Sequence, residues 1–140
     1  MQHWLVKSEP DTWSWDDHWS SPKRTAEWDG VRNHQAANNM RAMEKGDLAF
    51  FYHSGKSREI VGIVKVTKTF YPDHTDETGK FGMVDFKAVE PLEHPVSLAK
   101  IKSEPKLGDM VLVRNSRLSV MPVGDEQWQI ILDLASQEAE

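Results

Sequence analysis

The stretch Glu27-Trp28-Asp29-Gly30-Val31-Arg32-Asn33 gathers a large aromatic face, two carboxylates, a guanidinium and a carboxamide into seven residues. That set suits a flat, polar-edged ligand: one group to stack on, others to donate and accept along its rim. Gly30 permits backbone conformations that other residues resist, so its neighbours can be turned toward one point. Asn33 is a favoured helix N-cap, and Ala36, Met40 and Met43 recur with helical spacing behind it, which predicts a helix over His34–Met43. Free N–H groups at such an end favour an anion or an acceptor edge. The plainer account makes Trp28 core and Asn33 only a cap, and these seven residues alone leave that account ahead.

Two other stretches carry comparable chemistry, Lys7-Ser8-Glu9 and Phe51-Tyr52-His53-Ser54, each at the end of a predicted strand. Brought together with Trp28–Asn33, they would wall a pocket for a planar heterocycle: stacking faces plus groups that read its edge. A nucleobase entering such a pocket must first leave its stack. Ser8, His53 and Glu9 also permit a hydrolytic arrangement of nucleophile, base and carboxylate, which needs only that they meet in space. A third reading makes the Trp-rich start (Trp4, Trp13, Trp15, Trp19) a protein-interaction surface; packing is the simpler role for these rings, although an exposed one of Trp13, Trp15 and Trp19 could stack on a base.

Other chemistries find little support. Asp73-His74-Thr75-Asp76-Glu77 is oxygen-rich, yet adjacent ligands seldom converge on a metal without help from elsewhere, so a solvated loop is expected. There is no Gly-rich phosphate loop, dinucleotide fingerprint or Gly-x-Ser-x-Gly elbow. The six histidines lack metal-binding spacing, and the absence of cysteine removes disulfides, thiolate nucleophiles and sulfur-ligated zinc. Neither a cofactor nor a metal is expected.

The elements that must position these residues follow from pattern. His3–Lys7 reads as a buried strand ended at Pro10, and Ser14 caps a short helix through Trp19. Gly46-Asp47 stops the next helix. Strands are expected at Leu48–His53, Ile60–Phe70, Met83–Val89, Met110–Val113 and Leu118–Val123. Gly62 marks a bulge or a close backbone approach, and Tyr71–Phe81 a polar loop. Ser97 caps a short helix and Asp125 a final one that carries Trp128, Ile131 and Leu132. Six strands joined mainly by hairpins, with four helices, place the chain in the α+β class around a strongly curved sheet or small barrel. Residues 1–136 are expected to form one domain and residues 137–140 a frayed tail.

At 140 residues with 39% hydrophobic and 28% charged residues, a real core is within reach and disorder is excluded. No apolar run is long enough to cross a bilayer and no secretory pattern opens the chain, so a cytoplasmic setting with no membrane partner is expected. The net charge of −5 argues against strong non-specific binding to phosphates. Residues 32–68 run against that balance, with seven cations (Arg32, Arg41, Lys45, Lys56, Arg58, Lys65, Lys68) and three anions. A locally basic face would allow weak, directed contact with a polyanion.

Five blocks in order, Trp4–Pro10, Trp28–Asn33, Phe50–Ser54, Tyr71–Thr75 and Arg117–Pro122, resemble the EVE domain over nearly the whole chain. The resemblance implies a PUA-like fold of about six strands with flanking helices, and kinship with YTH domains, which hold a methylated base in an aromatic cage. Carried over, Lys7, Ser8 and Glu9 border the cage and Trp28 is one wall. The second wall falls in Tyr71–Phe81, which has no Trp, so Tyr71, His74 or Phe81 must stand in. The expected activity is non-enzymatic recognition of a modified cytosine or similar base in DNA or RNA, by a monomer or weak homodimer. Gly30, Val31, Arg32, Asn33, Tyr52, His53 and Ser54 complete the expected base site, with Glu9 accepting from an exocyclic amine and Lys56, Arg58 and Arg117 touching phosphates.

Overall fold

The most apolar runs of the sequence lie deepest. Leu5, Val6, Phe50 and Phe51 have no exposed surface, and the strands that carry them sit at the middle of the sheet. The computed structural model describes residues 2–137. Its strands are β1 (His3–Ser8), β2 (Thr25–Glu27), β3 (Leu48–His53), β4 (Glu59–Pro72), β5 (Gly82–Ser97) and β6 (Val120–Val123). They form one mixed sheet in the order β2-β5-β4-β3-β1-β6. β1 runs parallel to β3, so Ser8 pairs with His53 and two of the candidate strand ends lie side by side. The other ladders are antiparallel.

β4 and β5 are long strands, and four register shifts interrupt their ladder. Each shift inserts unpaired backbone, which bends and over-twists the pair. Gly62 lies at one of them and also makes a close approach, since a Cβ there would fall 2.4 Å from the Trp15 ring. The sheet is therefore strongly curved. It stays open: among the described residues no ladder joins β2 to β6, so the curl does not close into a barrel.

Among the described residues five α-helices flank the sheet: α1 (Trp15–Trp19), α2 (His34–Ala42), α3 (Leu98–Ser103), α4 (Val111–Arg114) and α5 (Asp125–Ala135). Ser14 and Asp17 form a reciprocal capping box on α1. Asn33 Oδ1 accepts the Ala36 N–H at 2.9 Å, which starts α2 where the sequence predicted. α5 stacks Trp128 on Phe50 with ring centroids 3.8 Å apart.

Several expectations are corrected. Met110–Val113 is not a strand: Met110 caps α4, and Arg114 turns back to donate to the Gly108 carbonyl and Asp109 at 2.9 Å each. Val111 and Val113 favour a strand locally, yet the Arg114 N–H donates to the Met110 carbonyl at 3.0 Å and the Asn115 N–H to the Val111 carbonyl at 2.7 Å, which closes a helical turn. Gly124, not Asp125, occupies the N-cap of α5, with Gln127 accepting its N–H at 2.9 Å. The strand expected from Leu118 begins at Val120. Tyr71 and Pro72 still belong to β4, so the loop is shorter than expected, and β5 runs on to Ser97. β2 is three residues long, too short for an alternating pattern to reveal it. Of the expected tail, residues 138–140 lie outside the described residues. No helix among the described residues is long and apolar enough to cross a membrane.

Candidate nucleic-acid interface

A cavity of about 670 Å³ opens where the end of β1, the turn after it and the segment following β2 converge. The pairing of Trp28 N–H with the Val84 carbonyl at 2.7 Å carries β2's path forward and sets the Trp28–Asn33 segment across the mouth. Within that segment Gly30 has φ +81°, a left-handed conformation that side chains with a Cβ resist.

Asp73 fixes the segment from outside. Its carboxylate, on a residue 3% exposed, accepts the Gly30 N–H at 2.8 Å and Arg32 Nη1 at 3.0 Å, while Thr75 donates its N–H at 2.7 Å and its hydroxyl at 2.6 Å. Burial alone would push this carboxyl up. The donors from Thr75, Gly30 and Arg32 outweigh it and hold the pKa at about 2. Arg32 also donates to Thr75 Oγ1 at 2.9 Å, so its guanidinium is committed to the clamp.

Two indoles wall the cavity. Trp28 is 7% exposed and meets Phe51 and Phe86 edge-to-face at 5.4 and 5.5 Å. Its N–H has no acceptor among the described residues, and none of their fully buried side-chain nitrogens or oxygens lacks a partner, so that N–H keeps accessible surface, on a residue that lines the cavity. Trp13 is the other wall. From the sequence Trp13 is expected to pack, with stacking open to it only if exposed, and the second wall is expected in the 71–81 loop. The signal was Pro10-Asp11: the Thr12 and Trp13 N–H groups both donate to the Glu9 carbonyl at 2.9 Å, a turn that swings Trp13 back beside Ser8.

His18 locks the two indoles. It has no exposed surface, its Nε2 lies 2.9 Å from the Phe86 carbonyl, and Trp13 Nε1 donates to its Nδ1 at 3.1 Å. A carbonyl only accepts, so the proton sits on Nε2 and the ring is neutral; burial lowers its pKa against that single favourable contact.

The remaining predicted residues divide clearly. Lys7, Ser8, Glu9, Trp28, Gly30, Val31, Arg32 and Asn33 line the cavity together, joined by Glu27 and Asp29, which sequence reasoning had left out of the site. Ser8 donates its hydroxyl to the Trp13 carbonyl, and His53 Nε2 accepts the Trp15 N–H at 3.0 Å, so no nucleophile–base pair forms. Tyr52 and Ser54 face a different cavity, and Lys56 and Arg58 sit at the β3–β4 turn. Tyr71 donates to Asp85, and burial together with that hydrogen bond raises its pKa far above the ordinary value. His74 lies 2.5 Å from Glu27 at the rim, and that hydrogen bond raises its pKa. Phe81 packs on His34 at 5.1 Å, behind Arg32 and away from the cavity. Arg117 is exposed beyond α4. The donor atoms of Glu27, Asp29 and His74 fall within 4.8 Å of one another, but all three are exposed and His74 is already paired with Glu27.

An open, strongly curved mixed sheet with flanking helices and an aromatic cleft at its strand ends defines a PUA-like domain. The family model of the EVE domain matches residues 2–134, and the chain belongs to that family. Human thymocyte nuclear protein 1 is 37% identical over 97% of this chain and 75% of its own length. A solved protein from Rhodopseudomonas palustris is 48% identical with a TM-score of 0.92, covering 100% of this chain and 97% of that one. The human THYN1 protein in complex with 5-methylcytosine-containing DNA is 37% identical with a TM-score of 0.95, covering 99% and 100%.

Proposed function

We propose that this chain is a non-catalytic module that takes a modified cytosine, 5-methylcytosine or a close relative, out of DNA and into the cavity between Trp13 and Trp28. One observation carries the reading: two indoles face a cavity rimmed by Glu9, Glu27 and Asp29, in a chain alike over its whole length to a protein solved with 5-methylcytosine DNA. Indole faces stack on the extruded ring, and a rim carboxylate accepts from the exocyclic amine. The methyl group rests against Val31 and Ala26, where apolar surface replaces water. Asn33, Ser8 and Lys7 supply further polar contacts, and Gly30 lets the segment pass close to the base. His53 holds the Trp15 N–H behind the site, and His74 and Phe81 brace the rim residues Glu27 and Arg32 from outside the cavity. Lys56, Arg58 and Arg117 meet strand phosphates. The commitments of Ser8 and His53 support binding without turnover.

The test is affinity for short DNA strands with cytosine or 5-methylcytosine, by calorimetry, on wild type, Trp13→Ala and Trp28→Phe. Trp28→Phe keeps packing against Phe51 and Phe86, which Trp28→Ala would forfeit. Each stack is worth roughly 1–3 kcal/mol, so either variant should weaken the modified strand by about tenfold or more. Equal affinity for both strands, or variants that bind like wild type, would sink the reading.

A further inference from the structure

We infer a second ligand site, for a phosphate group, in the separate cavity of about 350 Å³ that Tyr52, Arg58 and Lys102 line beside Lys7. Three cationic side chains enclose it, and no carboxylate is in its wall. Among the described residues none of the three is in an ion pair. Tyr52 is 3% exposed, yet its hydroxyl has no protein partner among the described residues. Because none of their fully buried side-chain oxygens is orphaned, that hydroxyl keeps accessible surface, on a residue that lines the cavity. A donor held at the end of a nearly buried ring, with nothing to donate to, marks a place for an acceptor.

The surrounding groups specify which acceptor. Lys7 Nζ donates to the Ser116 carbonyl at 2.7 Å and lies 5.7 Å from the Tyr52 ring centre, so one ammonium is fixed at the wall. Arg58 is anchored by donating Nε to the Gly55 carbonyl at 3.0 Å, which leaves the rest of its fork for another ligand. Arg58 also holds a left-handed φ of 46°, an unfavourable conformation for a residue with a Cβ, which aims its side chain from the turn. Lys7 has its pKa lowered by burial, and Tyr52 is pushed up by burial against the pull of Arg58, so an anion entering here would relieve desolvated positive charge. Several fixed donors around one small space match the oxygens of a phosphate better than a lone halide.

The site stands on its own walls and does not depend on the base reading, although Lys7 borders both cavities. The phosphate comes either from the strand whose base is read next door or from free phosphate. The test is an NMR titration of the intact chain with inorganic phosphate, against chloride at matched ionic strength, on wild type, Tyr52→Phe and Lys102→Met. Expected is saturable movement of the Ser54, Arg58 and Lys102 amides with phosphate only, weakened by about tenfold in each variant, the scale of one lost charge-assisted bond. Movement equal to that in chloride, or unchanged in both variants, overturns the site. Competition between phosphate and a 5-methylcytosine strand assigns the site to the strand backbone, and binding without competition assigns it to free phosphate. Loss of base selectivity alone leaves the inorganic phosphate result standing, so the two readings fail separately.

Discussion

Asp73 clamps the Trp28–Asn33 segment through the Gly30 N–H and the Arg32 guanidinium. Four donors converge on a carboxylate whose side chain is fully covered, and its pKa falls from 3.8 to about 2. At about 1.4 kcal/mol per unit, charged Asp73 contributes on the order of 2 kcal/mol at neutral pH. The folded pKa is depressed, so this stability is fully present well above pH 3.8 and drains away as pH falls through about 2. Asp73→Asn keeps the shape but loses the charge, and should cost about 2 kcal/mol at pH 7. Asp73→Ala also strands the Gly30 N–H and the Arg32 guanidinium, and should cost about 3 kcal/mol. Urea unfolding at pH 7 and pH 3 provides the measurement. Linkage gives a gap between wild type and Asp73→Asn that shrinks by about half at pH 3. A gap under about 0.5 kcal/mol at pH 7, or one unchanged at pH 3, would refute the view that this carboxylate anchors the Trp28–Asn33 segment.

Other outcomes follow from single contacts. Gly62→Ala drives a Cβ to 2.4 Å from the Trp15 ring and should cost roughly 1–3 kcal/mol by denaturant unfolding, with α1 loosened. Gly30→Ala meets no atom within 4 Å, so its cost is backbone strain alone, about 1–2 kcal/mol, and should appear in stability and in DNA affinity together. His18 and His53 have lowered folded pKa values, so their stability is present above 6.5 and lost as pH falls below it; thermal midpoints should drop between pH 7.5 and 5.5, less so in His18→Gln. His74, raised by Glu27, has the opposite sign and is exposed, so it should not mask that trend.

Much of the frame is legible in the sequence because local and global preferences agree there. Asn33 caps α2 as its type predicts, and Gly62 marks both a register shift and a close approach. The four-residue helix at Val111 was illegible, since β-branched residues read as strand while the turn is closed by backbone bonds and by Arg114 donating to the Gly108 carbonyl. The site was legible along the chain but not across it. Residues 7–9 and 28–33 meet in one cavity, while Tyr52 and Ser54 follow from the same strand end yet open to another, because alternate residues of a strand face opposite sides. Trp13 and His18 depend on a turn and on a ring wedged between elements, which no periodicity records.

A modified base that enters between Trp13 and Trp28 changes the surroundings of both rings at once. The most direct measurement follows the six indole N–H signals of the isotope-labelled chain by NMR as 5-methylcytosine DNA is added. Trp4 donates to buried Asp47 at 3.0 Å and serves as an internal reference. The Trp28 and Trp13 indoles should move together and saturate with the modified strand, while Trp4 stays fixed and unmodified DNA has little effect. Movement confined to Trp19, or identical responses to both strands, would contradict it.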